Sequence, residues 1–218
     1  MELGATYPGP RCATGAPTVL RALGFGVALW ALLGGGAALL AQGPARELLN
    51  SERIAAKFGS YGVEVLAQTQ DLRVSNLYST EAGVRTCRTF ALVRYPQRID
   101  PSLAREHAAI VAGGSIGAVF AAEGWQVRKT HLDYGAIEAT PRLAELMRIE
   151  PGTPLAEHIY VLEVAKGERS IEYAALVEIH HPDYLRREDL PAIYGPADTT
   201  QRRPLVTELA SLAVERTR

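Results

Sequence analysis

Between Gly62 and Tyr95 the chain carries three strand-forming runs in quick succession, and the shortness of the links between them constrains the fold. The runs are "GVEVLAQ" (Gly62–Gln68), "LRVSNLYS" (Leu72–Ser79) and "VRTCRTFALVRY" (Val84–Tyr95), all rich in β-branched and aromatic residues. A parallel crossover needs a dozen or more residues, whereas the links here are one polar turn and the tetrapeptide "TEAG". The three strands must therefore pair antiparallel.

The rest of the folded part follows the same pattern. A helix over "NSERIAAKFG" comes first, with Asn50 or Ser51 as N-cap and Gly59 at its stop. After the three strands, "DPSLAREHAAIVAGG" reads as a helix capped by Asp100, with Pro101 at its first position and Gly113 as stop. "SIGAVFAAEG" is a second short helical turn, "WQVRKTHLDY" returns as a strand, and "TPRLAELM" repeats the cap-then-proline signature at Thr140 and Pro141. "LAEHIYVLEV" and "RSIEYAALVEIH" form a hairpin around "AKGE", and "RPLVTELASLAVERTR" is a weakly amphipathic helix placed on the outside. Crossover helices are too few for a parallel sheet, so the expected class is α+β with a mostly antiparallel sheet.

Ahead of this body lies a segment of another kind. No charged residue stands between Arg21 and Arg46, and "ALGFGVALWALLGGGAALLA" (Ala22–Ala41) is apolar throughout. A helix of that length rises about 30 Å, the thickness of a bilayer's hydrocarbon core. It has no polar face, which argues against a core helix. The expectation is a membrane anchor or signal segment over 1–45, an α+β domain over 46–200 and a helical tail over 201–218. Arg11 and Arg21 then stay on the cytoplasmic side, with the body anchored or secreted on the other. Cys12 and Cys87 flank the apolar run, so no disulfide forms within the domain, and Cys87 reads as a small buried strand residue. The formal net charge of −1 gives no electrostatic reason to expect nucleic acid as a partner.

The densest cluster of reactive side chains is "IEYAALVEIHHPDYL" (Ile171–Leu185). Alternation puts Ile171, Tyr173, Ala175, Val177 and Ile179 on one strand face and Glu172, Glu178 and His180 on the other. His181 points away from His180, so the adjacent pair cannot chelate one ion. A metal would need Glu178, His180 and outside ligands, and His107, His131 and His158 are scattered without HExxH spacing. No metal and no cofactor are expected. Glu178 is either a solvated surface residue or a cavity wall, and alternation leaves both open. On its strand Arg73 shares a face with Ser75, Leu77 and Ser79, away from the better core set Leu72, Val74, Asn76 and Tyr78. His107 and Tyr134 are further candidates for a cavity wall.

Three stretches carry a family pattern: "LRVSNLYSTEAGVRTCRTFALVRYP", "IVAGGSIGAVFAAEGWQVRK" and "ERSIEYAALVEIHHPDYL". Together they resemble chorismate lyase and, more loosely, the UTRA ligand-binding domains that share its fold. The matching pieces are Arg73, Arg88-Thr89 before Pro96, Ile116-Gly117 and "VEIHHP". The resemblance implies a six-stranded antiparallel sheet with helices on one face and an enclosed pocket. It also implies that Arg73 binds a substrate carboxylate and that Glu178 assists loss of an enolpyruvyl group, without metal or cofactor. By the same match Ile116, Gly117, Cys87 and Glu52 stand at the pocket. Three of these depart from the family: Cys87 replaces a glycine, Glu52 puts an acid where an apolar residue follows the serine, and Ile116 replaces a leucine, a mild change.

The function expected from all this is a tethered or exported domain that binds a small carboxylate or aromatic ligand without turning it over. One alternative is a lyase with Arg73 as carboxylate grip and Glu178 as acid. Another is a structural protein whose pocket is filled, with Arg73 and Glu178 paired to each other. UTRA domains usually follow a DNA-binding winged helix, and none precedes Asn50, so a transcription factor is not expected.

Overall fold

Every strand-forming run becomes a strand, and the links fix how the strands pair. The computed structural model describes residues 48–198, 200 and 209. Helix α1 (Asn50–Phe58) leads into β1 (Gly62–Gln68), β2 (Leu72–Glu81) and β3 (Val84–Arg94). A 3₁₀ turn (Pro101–Leu103), α2 (Ala104–Val111) and α3 (Ile116–Ala122) follow, then β4 (Gln126–Glu138), α4 (Pro141–Met147), β5 (Pro154–Lys166), β6 (Arg169–His180) and α5 (Asp189–Tyr194). The caps are local chemistry: Asp100 accepts from the Ser102 N–H at 2.9 Å, and Thr140 from the Leu143 N–H at 3.3 Å. Gly59 ends α1 at φ +73°, a conformation glycine adopts without strain. Among the described residues the one helix not anticipated is α5, which is six residues long and contains Pro191.

The six strands form one sheet in the order β1-β2-β3-β6-β5-β4, antiparallel at every pair. Two three-stranded meanders, β1–β3 and β4–β6, therefore meet edge to edge where β3 pairs with β6. Helices cover both faces, which corrects the expectation of one. On one face Leu143, Ala144 and Met147 of α4 pack on Val74, Leu92, Val161 and Val177. On the other, Ile110 of α2 and Phe120 of α3 pack on Val93, Leu162 and Leu176. β3 and β6 sit at the centre with few charged residues on either face, so neither face can be left to water. Each fully buried Leu or Val there contributes about 1.5–3 kcal/mol.

Among the described residues four register shifts interrupt the pairing, in β1–β2, β2–β3, β4–β5 and β5–β6, and two of them bear on the site. The pairing steps from Leu77↔Thr89 to Tyr78↔Cys87, leaving Arg88 as the extra residue. It steps again from Leu162↔Ala174 to Glu163↔Glu172, leaving Tyr173 over. Beyond each bulge the faces exchange. Tyr173 consequently joins the cluster of Ile110 and Phe120 rather than that of Val177, as simple alternation had it.

The apolar stretch Ala22–Ala41 lies outside the described residues, as does the tail helix apart from Leu209, which is helical and fully buried. Among the described residues no helix is long and apolar enough to cross a membrane.

Candidate ligand pocket

Strand register assembles the pocket floor in rows. One row runs Arg73, Val93, Leu176, Tyr160 across β2, β3, β6 and β5; the next runs Ser75, Ala91, Glu178 and continues to His158, which lies outside the cavity lining. Within a row the side chains are cross-strand neighbours, and rows two residues apart share a face. Over this floor lie the start of α1 (Leu49, Asn50, Ser51), the start of α3 (Ser115, Ile116, Gly117), Tyr61 and Val63 at the β1 edge, and Val127 and Lys129 at the β4 edge. The cavity is about 80 Å³ and partly open. The two meanders supply opposite ends of it, so the β3–β6 junction lies beneath its middle.

Arg73 is 2% exposed and lines the cavity. Its Nη1 donates to the Ile110 carbonyl at 2.9 Å and to the Gly114 carbonyl at 2.8 Å, at the C-terminal end of α2. Carbonyls left over at a helix end attract a cation, which is how a guanidinium is held this deep. A guanidinium can grip a carboxylate with two parallel N–H donors, and the Tyr95 hydroxyl, its pKa raised by burial against the charge and hydrogen bonding of Arg73, lies beside it. The ammonium of Lys129 packs over the rings of Tyr160 at 4.9 Å and Tyr194 at 5.0 Å.

Glu178 is 3% exposed and belongs to the cavity wall, which settles the alternative that alternation left open. Its Oε2 is 3.9 Å from both His158 Nδ1 and His180 Nε2. The outer nitrogens of the two imidazoles are engaged: His158 Nε2 with His131 Nδ1 at 2.8 Å, and His180 Nδ1 with the Thr89 hydroxyl at 3.0 Å. Burial, then the charge of Lys129, lowers the His180 pKa to about 3. Burial also pushes that of His158 far down, with His180, Lys129 and His131 adding to the effect. Both rings are neutral at neutral pH. Among the described residues no ion pair joins Arg73 to Glu178, so the pocket is not closed by that contact.

The structure brings four of the six expected residues to the cavity: Arg73, Ile116, Gly117 and Glu178. At Gly117 the backbone of α3 comes close to the start of α1: a Cβ would stand 2.6 Å from Leu49 Cδ1, so Leu49 would have to shift to admit one. The other two are elsewhere. The bulge at Arg88 turns Cys87 to the far face, where it is 1% exposed in the α4 core and burial raises its thiol to about 12. Plain burial in a strand was therefore the better expectation for Cys87. Glu52 serves its own helix, accepting from the Leu49 N–H at 2.8 Å as half of a capping box. Of the further candidates, His107 Nδ1 bonds the Tyr173 hydroxyl at 2.9 Å and Tyr134 donates to the Gly195 carbonyl at 2.9 Å, both outside the cavity. His181 fixes the turn after β6, accepting from the Asp183 N–H at 3.0 Å and bonding the Met147 carbonyl at 3.0 Å. Lys129 was missed, although it shares an alternating face with Val127 in "WQVRKTHLDY".

No protein-family model and no curated protein matches the chain. Solved structures do. A GntR-family transcriptional regulator from Enterococcus faecalis V583 is similar at 14% identity and a TM-score of 0.38, over 58% of this chain and 93% of that one. The ligand-binding domain assigned to a GntR-family regulator of Bordetella bronchiseptica is similar at 15% identity and 0.39, over 57% and 87%. The C-terminal domain of the histidine utilization repressor from Pseudomonas syringae pv. tomato DC3000 is similar at 13% identity and 0.34, over 58% and 90%. A six-stranded antiparallel sheet with a pocket against it is what the sequence resemblance implied; helices on both faces depart from it.

Proposed function

We propose that the domain captures a small monocarboxylate in this cavity and does not transform it. One observation carries the proposal: the Arg73 guanidinium is buried at the cavity wall and, among the described residues, no carboxylate pairs with it, in a space otherwise lined mostly by apolar side chains. The formal charges of Arg73, Lys129 and Glu178 sum to one positive charge, which one carboxylate balances. The apolar stretch Ala22–Ala41 supports a tether that holds the domain at a membrane, outside the cytoplasm; alkaline extraction of membranes would release the chain if no such tether exists.

The test is thermal stability of the full chain with a panel of short monocarboxylates, each against its uncharged amide. Carboxylates should raise the melting temperature, amides should not, and Arg73→Met should abolish the difference. A folded protein indifferent to every acid on the panel would overturn the binding proposal. Pyruvate released from chorismate, and lost in Glu178→Gln, would overturn the non-catalytic part and restore the lyase.

A further inference from the structure

Three buried polar atoms converge on one point beside the cavity, and none has a partner. They are His158 Nδ1, Glu178 Oε2 and His180 Nε2, the first two on directly paired residues of β5 and β6, the third two residues further along β6. Each residue is at least 96% buried by side chain. Leaving one such atom unbonded costs about 1–3 kcal/mol, so three facing one another call for a common explanation.

We propose that these three residues bind a first-row divalent transition-metal ion of the Zn²⁺ class. The three atoms lie within 4.8 Å of one another. With two sides of the triangle at 3.9 Å, a point equidistant from all three is at most about 2.5 Å from each, a few tenths of an ångström beyond Zn–N and Zn–O bonds. Small rotations of the side chains close that gap. Two imidazoles and one carboxylate are the donor set of an open zinc site, with room for a fourth ligand.

The outer contacts prepare the inner atoms. A ligating histidine usually bonds through its other ring nitrogen, which fixes tautomer and ring orientation. Here His131 meets His158 Nε2 and Thr89 meets His180 Nδ1, so each ring can carry its proton outward and aim a lone pair inward. Glu178 also lines the cavity, which gives an ion its way in. Lys129 is the opposing influence, since its charge acts on both imidazoles and disfavours a cation beside them.

The proposal is tested with the full chain, stripped by chelator and titrated with Zn²⁺ and with Co²⁺ in the absence of any carboxylate ligand. It thus stands or falls separately from the monocarboxylate reading. The expected result is one ion per chain, a melting temperature raised by Zn²⁺, and a visible Co²⁺ spectrum strengthened by imidazole coordination. Glu178→Gln and His180→Gln, checked for folding by their melting temperature without metal, should weaken binding at least tenfold. Lys129→Met should tighten it. Absence of stoichiometric binding by folded wild-type chain would overturn the assignment, as would binding unchanged in both folded glutamine variants, which would place the metal on surface groups.

Discussion

The buried histidines make the domain acid-labile in a window that carboxylates do not explain. In the folded chain His158 and His180 are held neutral, His180 with a pKa near 3 against an ordinary value of 6.5. Unfolded, each takes up a proton as the pH falls through about 6.5. Between the folded and unfolded values the unfolded chain binds more protons, so stability rises with pH there. The contribution is complete above about pH 6.5 and is lost progressively below it. Each histidine forfeits about 1.36 kcal/mol per pH unit, hence about 2 kcal/mol at pH 5 and about 4 kcal/mol for the pair. Against a domain stability of about 5–15 kcal/mol that is a large share.

Urea unfolding of the full chain, followed from about pH 7.5 to 5 with chelator present, measures this directly. At a denaturant slope of about 2 kcal/mol per molar, the midpoint should fall by about 2 M. His107 and His181, also lowered by burial, act in the same direction; Glu157, raised by burial and by Asp133, acts against it but only as the pH approaches the carboxylate range. The control is internal. His158→Gln and His180→Gln should each remove about half of the pH dependence, whatever each does to stability at pH 7.5. A midpoint flat between pH 7 and 5, or a slope that neither variant alters, would show that these rings are protonated or hydrated in the folded chain.

Two further outcomes follow from the packing. Cys87, 1% exposed with its thiol raised to about 12, should resist thiol-specific reagents in the native chain and react stoichiometrically in denaturant; fast native labelling would mean the α4 face is open. Gly117→Ala drives a methyl against the tip of Leu49, a flexible side chain that can yield, so the stability loss should be only about 1 kcal/mol by thermal unfolding. The pocket narrows all the same, and carboxylate affinity by calorimetry should fall about tenfold. Unchanged affinity would put the ligand away from the α1–α3 junction.

Much of the fold was legible because its signals are local. The short links after β1 and β2 exclude crossovers, and cap-then-proline pairs mark the helices at Asp100-Pro101 and Thr140-Pro141. Helix α5 was not legible, since six residues with an internal proline carry neither periodicity nor a start signal. Placement of helices on both faces was also hidden. A central strand buried on both sides, such as "TFALV" in β3, shows a continuous apolar run and no polar face to count against.

The site was half legible, and the bulges explain which half. Arg73 was found on the correct face because β2 carries no extra residue, and Glu178 because Ala174–His180 alternate without a break, although Tyr173 at the bulge was counted onto the wrong face. Cys87 was lost because Arg88 intervenes between it and Thr89. His158 was lost for the same reason on the opposite meander. Counting one-for-one from the β5–β6 turn, where Lys166 pairs with Arg169, sets Glu178 against Glu157, two carboxylates side by side. The extra residue Tyr173 shifts that partner by one and brings His158 there instead. A single inserted residue thus replaces a repulsive pair with the third member of a His-Glu-His cluster. Such a shift leaves no trace in periodicity, because it depends on which residue of a strand is left unpaired, and packing across the sheet decides that.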